Sequence, residues 1–231
     1  MFALSIIAVL FMRGCELPRL AGAIGAAEEA QKLIEVMPKY TGLENHTVAV
    51  VVEADYVTTF ERPALVQTVA SGVTFRIARW VPNVQVLDPM VVLNWQFSKP
   101  QWNTLPYGEI AAQLNVDRVV FVEILEYRLN PPGNQWLWEG IGVARIGIIE
   151  RGGLDPDTFS DIYDVSAKYP DVDGVTRENA TQTQIETGLL YEFVQRTGWL
   201  FHLHYEPKHP SLYKPELDTK QMQEVKRATG S

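Results

Sequence analysis

The hydrophobic pattern changes most sharply within residues 105–129, where a short amphipathic stretch is followed by a long apolar run. Tyr107–Leu114 has apolar side chains at helical spacing, and it follows Pro106, a residue suited to a first helical turn. Asn115 tolerates the left-handed conformation that ends many helices. Residues 119–125 are apolar except for Glu123 and are mostly β-branched, which is typical of a strand buried on both faces. The pattern therefore predicts a helix that leads into a central strand.

Beyond residue 125 the strand pattern becomes alternating, with polar residues at Glu126 and Arg128. This change predicts that the far end of the strand reaches solvent.

The chain before this stretch predicts a β-α-β unit. Residues 46–54 are a nearly continuous apolar strand, residues 63–81 have helical spacing, and residues 84–87 form a short strand. Two strands joined in this way are expected to be parallel, with a right-handed crossover. Gly72 is expected to let the helix pack closely on the sheet. Residues 55–63 are predicted to be a polar loop.

The remaining segments complete a single domain over residues 44–206. Asp88 before Pro89 is typical of a capped helix start. The fold class predicted is α/β: a mixed sheet, with a parallel β-α-β core and antiparallel strands, packed with helices. The other predicted elements are a helix over 88–97, a strand over 136–150, an antiparallel strand over 160–169, a helix over 180–197 and a last strand over 199–205.

The amino terminus has the pattern of a signal sequence. Residues 2–12 are an apolar run of eleven residues, the length of a signal-peptide core and too short to span a bilayer. Gly14 and Cys15 follow and resemble a lipobox, in which Cys15 is lipidated. Arg13 departs from that pattern, and no basic residue precedes the run. The alternative is an ordinary buried cysteine on an amphipathic helix.

The segments on either side of the domain have a composition typical of linkers and tails. Residues 16–43 are interpreted as a tether after the signal and lipobox segment of residues 1–15, with a short helix over 26–36. Residues 207–231 are polar with several prolines, and they predict a disordered tail.

The helix, turn and strand around residue 115 resemble a segment shared by bacterial envelope proteins of the TolB amino-terminal, CsgG and LpoB type. Their helix ends in leucine and glycine, followed by alanine, aspartate and an apolar strand. Here the matching residues are Leu114, Asn115, Val116 and Asp117. Asn115 and Val116 depart from the pattern, as does Glu123, where glycine commonly follows. The resemblance implies an envelope lipoprotein that faces the periplasm and binds or assembles other proteins.

Charge and cysteine content restrict the function further. A net charge of −8 disfavours nucleic acid, which binds basic surfaces. The single cysteine excludes an internal disulfide and a multi-cysteine metal site.

His202 and His204 would share one face of a strand, with His209 beyond, but no third ligand lies on a predicted element, so exposed histidines are favoured over a metal site. No glycine-rich phosphate loop is found, and no cofactor is predicted.

The candidate binding residues follow the first strand of the domain. Asp55, Tyr56, Glu61 and Arg62 lie at its carboxyl end, where open α/β sheets bind ligands. Paired carboxylates there are capable of acid–base chemistry. Tyr56 and Trp102 are expected to be exposed, and aromatic side chains of this kind anchor protein partners.

The function predicted is a non-catalytic binding or assembly module of the cell envelope. It would be attached to the membrane by a lipid anchor and would bind a protein partner. The alternatives are an enzyme that uses the acidic residues after the first strand, and a structural envelope component.

Overall fold

The computed structural model describes residues 29, 31–153, 155, 157–210 and 212. The predicted lipobox at Cys15, half of the predicted tether and most of the predicted tail lie outside these residues. In the part of the chain that is described, no helix is long and apolar enough to cross a membrane.

The elements follow one another in an order close to the one predicted. In chain order they are β1 (Leu33–Val36), β2 (Thr47–Ala54), α1 (Tyr56–Glu61), α2 (Leu65–Trp80), β3 (Gln85–Val86), α3 (Pro89–Ser98), a 3-10 turn (Trp102–Thr104), α4 (Tyr107–Leu114), β4 (Arg118–Arg128), β5 (Gly140–Glu150), β6 (Asp161–Tyr169), α5 (Gln182–Gly198) and β7 (His204–Pro207).

The chain divides into two compact units, and the larger one spans residues 38–202. Its five-stranded sheet has the order β3-β2-β4-β5-β6. Strand β2 is parallel to β3 and β4, while β5 and β6 continue the sheet in antiparallel order. This is the mixed α/β sheet that the sequence predicted, and β4 is its central strand.

The two faces of β4 support two separate cores. Val120 and Val122 lie in the core shared with α2 and α5. Phe121 lies on the opposite face, in the core shared with α3 and α4. Its ring is 6.0 Å from that of Trp102 and 5.9 Å from that of Tyr107, measured between centroids. The alternation places helices on both faces of the sheet, so that β4 is buried on both sides.

The turn between α4 and β4 is fixed by two residues of the motif. Asn115 adopts the left-handed conformation, with φ 53°, as predicted. Asp117 Oδ2 accepts hydrogen bonds from the Thr47 hydroxyl, at 2.7 Å, and from the Thr47 amide, at 2.9 Å. These bonds join the starts of β2 and β4, and the hydroxyl bond followed by the amide bond lowers the pKa of Asp117.

Helix α2 lies closer to α5 than to the sheet at Gly72. A Cβ atom at this position would be 2.9 Å from Val194 Cγ1. The glycine therefore permits close contact between two helices, and the prediction that it serves packing on the sheet was wrong.

The loop between β4 and β5 differs from the prediction. Strand β5 begins at Gly140, so Trp136 and Trp138 are not on one strand face. Trp138 is buried and donates a hydrogen bond from Nε1 to the Ala180 carbonyl at 2.8 Å, whereas Trp136 is exposed. The backbone of this loop instead pairs with the segment before α5, through an antiparallel bridge between Leu137 and Thr176.

The far end of β4 reaches solvent at Glu126, as the alternation predicted, but the side chain of Arg128 is partly buried. Its Nε lies 2.7 Å from Glu126 Oε1, and its Nη1 lies 3.2 Å from Glu139 Oε2. Nη1 also donates to the carbonyls of Asn130 and Glu139. Arg128 therefore holds together the loop that follows β4.

The smaller unit contains the described residues before Pro38 and after His202. In it, β1 pairs antiparallel with β7, with Leu33 opposite Pro207 and Val36 opposite His204. Residues 33–36 are thus a strand, and the prediction that they belong to a helix was wrong. Strand β1 contains the β-branched residues Ile34 and Val36, which favour strand pairing. Its partner, β7, lies far away in the sequence.

Candidate functional site

Helix α1 begins where β2 ends, within the segment predicted to be a loop. Asp55 is its N-cap, and Asp55 Oδ1 accepts a hydrogen bond from the Thr58 amide at 2.6 Å. The Asp55 carbonyl also accepts from the Thr59 hydroxyl at 2.9 Å. The amide bond from Thr58 lowers the pKa of Asp55. This carboxylate therefore stabilises the start of α1.

Helix α1 presents aromatic side chains to solvent and has no buried residue. Tyr56 is 82% exposed and Phe60 is 76% exposed. Their rings stack at 6.3 Å between centroids, with an interplanar angle of 21°, as expected for residues four apart on a helix. Tyr56, Val57 and Phe60 are together called the α1 surface.

Arg62 fixes the carboxyl end of α1 to the rest of the unit. Its Nη1 donates to Glu186 Oε1 on α5 at 3.0 Å, and its guanidinium lies 5.6 Å from the centroid of the Tyr127 ring. Burial and then the nearby Glu186 carboxylate raise the pKa of Tyr127. Arg62 thus points towards α5, so its charge is neutralised within the fold.

The four predicted binding residues fall into two pairs. Asp55 and Arg62 secure the two ends of α1, while Tyr56 and Glu61 are exposed. Asp55 and Glu61 are separated by about 9 Å of helix rise, so the helix does not bring these two carboxylates together as an acid–base pair. The binding role of the four residues stays a prediction.

The end of α3 adds a further aromatic side chain at this edge of the sheet. Gln96 is buried and donates to the Val52 carbonyl of β2 at 3.1 Å. The next residue, Phe97, is 81% exposed. Asn103 donates to Glu53 Oε1 at 3.0 Å and holds the following loop to the same strand. The sequence pattern did not single out Phe60, in the segment predicted to be a loop, or Phe97, at the end of the predicted helix over 88–97.

An open groove of about 350 Å³ lies between the end of α3 and α4. Trp102 lines it and is half-buried, since its ring packs against those of Trp95 and Phe121 at about 6 Å. The prediction that Trp102 is exposed was therefore wrong. The other lining residues are Lys99, Pro100, Gln101, Leu105 and Gln113.

The histidines make individual contacts in the fold. His202 stacks on Trp80 at 5.6 Å between centroids, and His204 Nε2 lies 3.2 Å from Glu206 Oε1. Among the residues described, no three or more His, Cys, Asp or Glu side chains form a group that could hold a metal ion.

No protein-family model matches the chain, and no curated protein matches it. Solved structures with a similar arrangement include the PelC dodecamer of Paraburkholderia phytofirmans, at 10% identity and a TM-score of 0.43, covering 74% of this chain and 97% of that one. A lipoprotein of Neisseria meningitidis is 11% identical with a TM-score of 0.41, covering 61% and 90%. A hypothetical protein of Chlamydia trachomatis is 16% identical with a TM-score of 0.38, covering 67% and 96%. These values are too low to carry a functional argument, and the resemblance to TolB, CsgG and LpoB stays a prediction.

Proposed function

We propose that this chain is a non-catalytic binding module of the bacterial cell envelope, attached to the membrane by a lipid on Cys15, and that its α1 surface binds a protein partner. The observation that carries the proposal is the stacked pair Tyr56 and Phe60 on a helix that buries none of its own side chains. The lipobox-like position of Cys15 after an apolar run supports the envelope location.

The α1 surface has the physical properties of a binding anchor. Each large aromatic side chain removes about 150–250 Å² from water when buried, and such residues dominate the energetics of protein interfaces. The Asp55 cap and the Arg62–Glu186 ion pair hold the helix at both ends. A partner therefore meets rings that are already ordered, which lowers the entropy cost of binding.

The charges around the α1 surface indicate the chemistry of the partner. Glu53, Asp55 and Glu61 are acidic and lie on or next to α1, while the positive charge of Arg62 is neutralised by Glu186. An acidic surface with apolar rings is complementary to a partner with apolar and basic side chains. The partner proposed is thus a protein with a basic rim around an apolar site.

Site-specific photo-crosslinking in cells tests this proposal. A photoreactive residue at Tyr56 is expected to crosslink to one envelope protein, and the same residue at the distant, exposed Arg151 is the control. The crosslink at position 56 should be lost when Phe60→Ala is added and should persist with Glu61→Gln. Equal crosslinking from both positions, or a crosslink that needs Glu61 and not Phe60, would overturn the proposal.

A further inference from the structure

A second exposed aromatic surface lies on the outer side of α2 and α5. Phe75 is 68% exposed and Trp80 is 54% exposed, and Tyr191 on α5 is exposed as well. Arg76 and Arg79 lie between Phe75 and Trp80 in the sequence. Arg76 lies beside the Tyr191 ring, and Arg79 lies beside the Trp80 ring. Phe75, Arg76, Arg79, Trp80 and Tyr191 are together called the α2–α5 surface.

The guanidinium groups of both arginines lie beside aromatic rings. That of Arg76 is 5.4 Å from the centroid of Tyr191, and that of Arg79 is 5.9 Å from the centroid of Trp80. A guanidinium presents its N–H donors in a planar fork, which is the geometry that binds carboxylates in a bidentate manner.

Neither arginine of this surface forms a direct ion pair with the described residues, although the Glu192 carboxylate on α5 is near enough to Arg76 to interact with its charge. Helix α2 contains no aspartate or glutamate. Among the described residues, no carboxylate oxygen lies within 4.0 Å of Arg76 or Arg79, whereas Arg196 on α5 is paired with Glu192 at 3.6 Å. A local positive surface in a chain of net charge −8 is therefore open to an acidic ligand.

The α2–α5 surface is separate from the α1 surface. Helix α2 is the crossover between the parallel strands β2 and β3, so it runs antiparallel to β2. Its carboxyl end, with Phe75 and Trp80, lies at the edge of the sheet opposite to α1. The 16 residues of α2 separate the two edges by about 24 Å of helix rise.

We infer that the α2–α5 surface binds an acidic protein segment that also carries an apolar side chain. The guanidinium edges pair with the carboxylates of the segment, and the exposed rings pack on its apolar side chain. An anionic membrane is disfavoured as the ligand, because an extended surface meets the field of the whole chain with its net charge of −8, whereas a short segment meets the local positive charge of the two arginines. The inference goes beyond the proposed function, because it assigns a second partner of opposite charge to the one expected at the α1 surface.

Selection from a display library of random 12-residue peptides on the full-length chain tests the inference. We expect the selected peptides to be enriched in aspartate and glutamate next to leucine or an aromatic residue. Their affinity should fall at least tenfold with Arg79→Ala, and also with Phe75→Ala. The matched control is Arg151→Ala, which removes another exposed arginine and should change the affinity less than twofold.

Three results would overturn the inference. One is a selection that enriches neutral or basic peptides. Another is acidic peptides that bind equally to the wild type and to Arg79→Ala. The last is binding to vesicles of phosphatidylglycerol and phosphatidylcholine, measured by cosedimentation, that is lost with Arg79→Ala while the peptide selection enriches no acidic peptides. If Tyr56→Ala abolishes the binding of acidic peptides, the peptide site lies on the α1 surface and not on the α2–α5 surface. The same peptides therefore distinguish this inference from the proposed function.

Discussion

Phe121 shows most clearly how a single side chain supports one of the two cores. It is 5% exposed, and its ring contacts those of Trp102, Tyr107 and Phe159. The apolar run around it predicted burial on both faces of β4, and the alternation of Val120, Phe121 and Val122 between the two cores confirms this. Its aromatic neighbours come from three other segments, so residue spacing alone did not predict them.

Phe121→Ala is expected to lower the free energy of unfolding by about 3–5 kcal/mol, because it leaves a cavity among aromatic rings. Phe97→Ala is the matched control and should cost under ~0.5 kcal/mol, since that ring is exposed. Denaturant unfolding measures both values. Equal losses for the two variants would show that Phe121 does not lie in a core.

Asp117→Asn tests the link between the starts of β2 and β4. The folded-state pKa of Asp117 is lowered, so its carboxylate stabilises the fold above the unfolded pKa, about 3.9, and this contribution is lost as pH falls through the folded value. The stability difference between the wild type and Asp117→Asn should therefore be largest near pH 7 and should shrink below about pH 4. Unfolding midpoints at pH 7 and pH 3 measure it, and a difference that grows in acid would refute the assignment.

At the scale of elements, the strands of the larger sheet and its longer helices were predicted, whereas the short helix α1 and the short strand β1 were not. Helix α4, strand β4 and the Asp88 cap of α3 follow the pattern directly, with Asp88 Oδ1 accepting from the Met90 amide at 2.7 Å. Helix α1 has six residues, fewer than two turns, so it shows no helical period. The α2–α5 surface leaves a signal in the sequence, because Phe75 and Arg79, like Arg76 and Trp80, are four residues apart on a helix without acidic residues.

Gly72→Ala tests the contact between α2 and α5. On an isolated helix this change would stabilise by about 1 kcal/mol, but the new Cβ would lie 2.9 Å from the stiff side chain of Val194. We expect a net loss of about 1 kcal/mol from overpacking. In a Val194→Ala background the same change should instead increase stability. A stabilising effect in both backgrounds, measured by denaturant unfolding, would show that the contact is loose.

At the scale of the whole molecule, the β-α-β unit and the antiparallel hairpins define the sheet order, and the sequence predicted both. Pairings between distant segments were not predicted. Strand β1 pairs with β7, and Arg62 pairs with Glu186, in each case across most of the chain. Periodicity carries no information about such partners, and this is why the sequence did not predict the pairing of Arg62 with Glu186.

The membrane anchor is a property of the whole chain that fractionation can test. Cys15→Ser is expected to move the protein from the membrane fraction to the soluble fraction, and the wild type should carry an acyl mass on a chain that begins at Cys15. A wild-type protein that is soluble, or that retains residues 1–14, would remove the lipid anchor from the proposed function.

The most direct test of binding through the α1 surface compares two single carboxylate variants with one aromatic double variant in a strain that lacks the gene. Asparagine caps helices as well as aspartate, so Asp55→Asn removes a charge and keeps α1 folded, and Glu61→Gln changes an exposed side chain. Both variants should restore the wild-type phenotype, because an interaction surface depends on its aromatic anchors. Tyr56→Ala combined with Phe60→Ala should fail to restore it, at a wild-type protein level. If either carboxylate variant fails in a folded and correctly localised protein while the aromatic double variant succeeds, the binding module is contradicted and an enzyme replaces it.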